Sequence, residues 1–287
     1  MASLIRLAIF DRFLCRVFMM PDCPFVLKGG TAMLARLPGA RATTDIDFET
    51  REASLSESIP LLSRAAALDL ADHFLFRYAG HRETGGPNQG DSPAVHVTFS
   101  VTVLGAGVQG DIKVDLALHD RMPAAPLELM IPDFRPELPR LGTVVAYRTI
   151  GIEDQIADKV CATMSDFGGQ ASSRSKDLVD LAIITRTLRI DAAQLRVSVV
   201  AETSRRGIPA FTRIAVPRTM AEGYSRLARS VPLLADALDA EKATEEVNTM
   251  LVQCLSGGAS NSVWDPALQR WTIKTPDPTA EGRSRDR

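Results

Sequence analysis

An α+β fold is expected for this chain, a mixed sheet with flanking helices followed by a mainly helical half, and three observations predict it. Residues 25–118 hold short apolar or alternating runs of the kind that pair into strands. Residues 151–188 repeat their apolar side chains at helical spacing. Between them lie Pro123, Pro126, Pro132, Pro136 and Pro139, too many for a helix or a central strand. The 287 residues suffice for two units with cores of their own. The expected boundaries are 1–140, 141–255 and a flexible tail over 256–287, where Gly, Ser, Pro, Asp and Arg dominate and only Trp264 and Trp271 suggest docking.

Hydrophobic residues at 45% and charged residues at 24% are ordinary for a globular protein, and a formal net charge of −2 argues against a generally basic nucleic-acid coat. Cys15, Cys23, Cys161 and Cys254 are scattered without a C-x-x-C pair. They suit a reducing cytoplasm and disfavour a zinc site or a disulfide framework. Only six of the 33 basic residues are lysines, and Lys28, Lys113, Lys159 and Lys176 fall in segments singled out below for chemistry.

Leu4, Leu7, Ala8, Phe10, Leu14, Val17 and Phe18 recur near helical spacing and predict an amphipathic helix that covers the sheet. Arg6, Asp11, Arg12 and Arg16 interrupt it and argue against a secretory leader, and no later apolar run is long enough to span a membrane. The stretch from Phe25 to Phe48, FVLKGGTAMLARLPGARATTDIDF, organises the rest. It predicts a buried strand over Phe25–Leu27, a Gly29-Gly30 turn opening a short helix from Thr31 to Leu37, a Pro-Gly stop, and a second strand carrying Asp45 and Asp47. The two glycines let backbone N–H groups approach a ligand, and the helix start adds unpaired N–H groups and a positive dipole end, which together suit a phosphate. Asp45 and Asp47, two apart on a strand, share one face. That face suits Mg²⁺.

A helix is expected over Leu55–Leu70, a strand over Ala71–Tyr78, a polar loop over 79–94, and a hairpin of Val95–Val103 and Ile112–Leu118 about the turn LGAGVQGD. Gly105, Gly107 and Gly110 match G-x-G-x-x-G, but a strand follows where a dinucleotide site needs a helix. Gly85 to Ser92 has the spacing of a P-loop with Asp91 in place of the lysine, and an acid there repels phosphate. In IKVDLAL, Lys113 and Asp115 share a face; Asp115 is the candidate third carboxylate of a two-metal site, or else an acid paired on an exposed face. Further on, GIEDQIADKVCATM (Gly151–Met164) has a buried stripe of Ile152, Ile156, Val160 and Cys161 with Lys159 beside it. A second helix begins near Lys176, with Asp177 and Asp180 one turn apart. Asp177 suits a helix N-terminus; Asp180 lies too deep for that.

The K-G-G-T, R-x-T-x-D-h-D, E-D-x-x-A-D-K-h-x-A and K-D-L-x-D-L segments, in this order over residues 25–188, resemble the AbiEii/AbiGii family of nucleotidyltransferase toxins, which includes the MenT-type toxins and has a polymerase-beta-like nucleotidyltransferase fold. The resemblance implies transfer of a nucleotide from an NTP to an acceptor, which for MenT-type members is the 3′ end of tRNA, and a separately encoded antitoxin. It carries the metal-binding acids onto Asp45 and Asp47 and the essential Lys and Asp of the helical half onto Lys159 and Asp180. Asp115 comes from strand geometry alone. Lys28, Gly29, Gly30 and Thr31 are then the expected triphosphate site, Lys159 offsets its charge, and Asp180 either accepts a proton or orients Lys159. Two other readings stay open, a transferase acting on a protein or small molecule and a decayed NTP-binding module.

Nine arginines against three acids between Thr185 and Arg229, including Arg205, Arg206, Arg213 and Arg218, form either a solvated face or an RNA-binding patch. Thr43 and Thr44 directly precede Asp45; either they only support the strand start, or a phosphate on one of them would add about −1.5 to −2 charge beside the acids.

Overall fold

A computed structural model of the chain describes residues 2–84, 93–118, 123–132, 143–164 and 174–274. The first helix, α1 (Ala2–Phe18), is followed by strand β1 (Phe25–Lys28), helix α2 (Gly29–Arg36), strand β2 (Asp45–Thr50) and helix α3 (Leu55–Ala66). The meander β3 (Phe74–Thr84), β4 (Ala94–Val103) and β5 (Gly107–Leu118) comes next, then the short strands β6 (Glu128–Met130) and β7 (Tyr147–Thr149). These seven strands form one mixed sheet in the order β3-β4-β5-β2-β1-β7-β6. Its centre is mixed because β2 runs antiparallel to β1 but parallel to β5.

The core on one face follows from alternation. Ile46, Phe48, Val97, Phe99, Val114 and Leu116 all point to that face and are buried beneath α1 and α3. Phe13 of α1 sits against Phe76 and Phe99 at ring-centroid distances of 5.3 and 5.1 Å. Of the charged residues that interrupt α1, Asp11, Arg12 and Arg16 are buried and Arg6 is exposed. Arg16 grips Asp72 with a two-pronged contact of 2.8 and 2.6 Å, and Tyr147 Oη donates to Asp11 Oδ1 at 2.6 Å. Buried guanidinium groups are tolerated only when paired in this way, so these residues dock the helix to the sheet.

The helical half comprises α4 (Ile152–Met164), α5 (Ser175–Thr187), the bridge strand β8 (Ile190–Asp191), α6 (Ala192–Arg206), α7 (Arg218–Ala228) and α8 (Ala240–Leu255), with a second core of Leu178, Leu181, Leu195, Tyr224, Val247 and Leu251 among others. Side-chain caps by Asp191 and Asp239 start α6 and α8, and Gly207 ends α6 in the left-handed conformation.

Several local expectations change. The helix expected to Leu70 stops at Ala66, and the following strand starts at Phe74 and runs to Thr84, into the stretch expected to be loop. The Pro-rich connector returns to the sheet: β7 pairs parallel with β1, so the first unit's sheet runs past residue 140 to Thr149. The stretch expected to be a flexible tail begins with ordered structure. Strands β9 (Ser262–Asp265) and β10 (Arg270–Ile273) form a hairpin that pairs with β8. Trp264 is fully buried, donates Nε1–H to Thr185 O at 2.8 Å and packs edge-on against Trp271, and burial of that area is what fixes the hairpin. Residues 275–287 and the Gly85–Ser92 stretch lie outside the described residues. Gly105, Gly107 and Gly110 belong to the β4–β5 hairpin region, with no helix after them.

Candidate active site

Strand register brings the candidate acids to one level. Lys28 of β1 is opposite Asp47 of β2, Asp47 is beside Asp115 of β5, and Asp115 is opposite His96 of β4. Asp45 and Glu49, two residues to either side of Asp47, share its face. The sheet therefore presents four carboxylates, Asp45, Asp47, Glu49 and Asp115, on the floor of a cleft of about 830 Å³ whose opposite wall is built from α4, α5, α6 and α7.

The Gly-Gly turn is where α2 starts, and it is pressed against this floor. A Cβ on Gly29 would lie 2.0 Å from Asp47 Oδ2, and its φ of +61° already lies in the glycine region. A Cβ on Gly30 would lie 2.8 Å from Thr43 Oγ1. Any side chain at these positions would push the start of α2 off the acids. Gln155 of α4, buried, donates to Gly29 O at 2.9 Å and pins the turn to the helical half. Thr43 Oγ1 donates to Asp45 Oδ1 at 2.8 Å and fixes that carboxylate. Thr31, expected at the triphosphate, is instead fully buried and donates to Asp45 O at 2.7 Å, so its hydroxyl supports β2. Thr44, by contrast, is exposed.

Lys159 and Asp180 meet across α4 and α5. The Lys159 ammonium lies 2.6 Å from Asp180 and 3.1 Å from Asp177, and Arg41, from the loop before β2, reaches the same Asp180 oxygen at 2.9 Å. Burial would lower the Lys159 pKa, but Asp180 and Asp177 outweigh it and hold the ammonium above its ordinary value. Lys159 lines the cleft, whereas Asp180 is fully buried behind it. Of the two roles weighed for Asp180, this geometry suits orienting Lys159. Asp177, which seemed only a helix-end acid, is the second holder of Lys159 and is itself met by Arg174 at 2.5 Å.

Charge on the floor is uneven. The Asp47 carboxyl is pushed up to about 6, first by burial and then by the negative charge of Asp45 and of Asp115, with Lys28 opposing. Lys28 donates to Glu49 at 3.0 Å. His96 Nδ1 is hydrogen-bonded to Asp115 Oδ1. A hard divalent cation suits this donor set, since oxygen ligands and excess negative charge are what such ions bind. Among the described residues, no group of three or more His, Cys, Asp or Glu side chains is drawn together tightly enough to close a metal site. The fit therefore rests on charge and ligand chemistry.

Sequence reasoning missed Glu49, His96 and Gln155, and of Arg41 it had only the place in the R-x-T-x-D-h-D segment, while support of the strand start was one of the two readings of Thr43. Glu49 was legible as the next residue of the same alternation after Asp45 and Asp47. His96 acts through register and Gln155 through a contact more than a hundred residues away, neither at a motif position; the partner of Arg41, Asp180, is equally distant, and Thr43 acts through a local hydrogen bond. The arginine-rich segment largely spends its charge internally. Arg186 binds Asp236 and Glu246, Arg206 binds Glu202 and Asp158, Arg205 binds Glu202, and Arg213 binds Glu245.

A mixed sheet bearing strand carboxylates below a Gly-Gly helix start, faced by a lysine of a helical half, defines a nucleotidyltransferase-type site. Residues 12–270 match the profile of the nucleotidyl transferase AbiEii toxin, type IV toxin–antitoxin system, and the chain belongs to that family. Solved structures agree in fold. A Helicobacter pylori protein assigned as a nucleotidyltransferase aligns at a TM-score of 0.51 and 15% identity over 89% of this chain and 95% of its own. The nucleotidyltransferase toxin MenT4 of Mycobacterium tuberculosis H37Rv aligns at 0.51 and 18% identity over 88% and 93%. Among curated proteins none matches by sequence. No helix among the described residues is long and apolar enough to cross a membrane.

Proposed function

We propose that this nucleotidyltransferase toxin transfers a nucleotide from an NTP to an RNA acceptor, with the 3′ end of tRNA as the favoured target, in a Mg²⁺-dependent reaction. The observation that carries the reading is the level of carboxylates at the Gly-Gly turn, facing a lysine held in its charged state across the cleft. Asp45, Asp47 and Asp115 would hold the divalent ion, which supplies charge neutralisation at the phosphates and a more acidic acceptor hydroxyl. The chain's own groups do the rest. The N–H groups at the start of α2 and the Lys28 ammonium bind the triphosphate, and Lys159 offsets the charge that develops as the acceptor oxygen bonds to the α-phosphorus and pyrophosphate departs. Asp180, with Arg41 and Asp177, keeps Lys159 aimed at the cleft. Silencing falls to a separately encoded antitoxin, since the cleft is open and nothing among the described residues blocks it.

Incubation with each labelled NTP, Mg²⁺ and total cellular RNA tests the reaction. Label should enter RNA, most of all tRNA, with the wild type and not with Asp45→Ala. Label in protein, or in no macromolecule, would overturn the RNA acceptor. Induced expression tests the toxin role: wild type should arrest growth and Asp45→Ala should not.

A further inference from the structure

The seven-stranded sheet has two faces, and only one is fully covered. Over β3, β4 and β5, the face opposite the α1–α3 core has no helix packed on it among the described residues, and it runs without a break from Asp115 outward. Register defines what it displays. Arg82, His96 and Asp115 form one row; Gly80, Thr98 and Lys113 form the next; Arg77, Ser100 and Asp111 form the third. Arg77, Arg82 and Lys113 are exposed, and none has an ion-pair partner among the described residues. Asp111 is the one acid in these rows beyond Asp115. Strand spacing places the three cations roughly 10 to 13 Å apart. No aromatic side chain stands on this face among the described residues, apart from the His96 imidazole beside Asp115.

We infer that this open sheet face is the docking platform for the acceptor strand, with Arg77, Arg82 and Lys113 contacting RNA phosphates and leading the 3′ end to the level of Asp115. The inference rests on the RNA acceptor proposed above and deepens it. Three features carry it. The face is continuous with the carboxylate row, so a strand lying on it ends at the site. Its cations are uncommitted, in contrast to Arg186, Arg205, Arg206 and Arg213 of the helical half, which are held by acids. Apart from His96, Asp111 and Asp115, the remaining groups in these rows are small hydroxyls and glycine, which admit a sugar–phosphate backbone closely and offer little to stack a base on. The face therefore tracks backbone and leaves choice of sequence to the cleft.

The test compares wild type with the triple variant Arg77→Gln, Arg82→Gln, Lys113→Gln, with Arg213→Gln as control. Binding of a labelled single-stranded RNA bearing a 3′-hydroxyl is measured across a salt series, and MgATP and MgGTP binding by thermal protection. All substituted side chains are exposed, so melting should be unchanged. The expected result is RNA affinity about ten-fold or more weaker for the triple variant, with the slope of log affinity against log salt smaller by about 2, from about 0.7 per lost phosphate contact. Protection by nucleotide should match wild type, and Arg213→Gln should match it throughout. An unchanged affinity and slope in the triple variant, with wild type binding RNA, overturns this inference alone. Absence of RNA binding by wild type overturns the RNA reading and the platform together. Unchanged RNA binding with a weakened complex with the antitoxin makes the face a protein interface and overturns the inference too.

Discussion

The two sides of the cleft treat charge in opposite ways. On the helical side, Lys159, Asp177, Asp180 and Arg41 form a buried cluster of two cations and two acids, with the exposed Arg174 reaching Asp177 from its rim. On the sheet side, Asp45, Asp47 and Asp115 crowd together with Lys28 already turned to Glu49. A balanced buried cluster holds shape, because removing one member strands another in low dielectric. An unbalanced one leaves negative charge unanswered, and the Asp47 carboxyl is pushed up to about 6, first by burial and then by the charge of Asp45 and Asp115. The fold thus separates a rigid lysine from a cation-seeking floor, and substitutions on the two sides should fail in different ways.

The largest effect is expected on the balanced side. Asp180→Ala removes the acid shared by Lys159 and Arg41, leaves Asp177 alone to hold Lys159, and should cost about 3–5 kcal/mol of stability along with nucleotide transfer. Chemical denaturation measures the first loss; an unchanged unfolding midpoint would break the contrast. On the unbalanced side, Asp45→Ala and Asp47→Ala should lower transfer by about 100-fold or more while melting stays level or rises. A fall in melting of many degrees would make these acids structural.

Acidity sharpens the comparison further. Because the Asp47 pKa is raised in the folded state above the ordinary carboxylate value of 3.8, the folded protein binds the extra proton between that value and about 6. In that window stability falls as pH rises, and the penalty is complete above about 6. In EDTA, Asp47→Asn should therefore melt higher than wild type at about pH 7.5, with the difference shrinking toward about pH 4.5. A difference independent of pH would assign it to packing. The smallest effect concerns the half-buried Lys28–Glu49 pair. Glu49→Gln should change stability by about 0–1 kcal/mol and act mainly on the apparent KM for NTP, by freeing Lys28 for phosphate. A large loss of stability would mean that the pair is a structural pin.

Much of the site was legible because its signals are local. Gly29, Gly30, Asp45 and Asp47 lie within one strand–helix–strand unit, and the periodicity that puts Asp45 and Asp47 on one face is a property of any strand. Lys159 and Asp180 were reached through the family resemblance of two helical segments, but their joint burial with Arg41 was not, since Arg41 is 139 residues from Asp180 and belongs to the other half. The arginine-rich segment stayed open between a solvated face and an RNA patch for the same reason. Its charge can be counted along the chain, while the acids that neutralise it, Asp158, Asp236, Glu245 and Glu246, come largely from other helices.

By itself the sequence determined the α+β class, the order of the main helices and strands, and which acids could stand side by side, because periodicity and glycine conformation act over a few residues. Tertiary structure decided that β7 returns to the sheet beside β1, that Trp264 docks the terminal hairpin, and that Thr31 supports β2 instead of a phosphate. It also decided which cations find acidic partners among the described residues. Those outcomes depend on strand register and on pairs of charges brought together from distant positions, and a buried charge takes whichever partner the packing supplies.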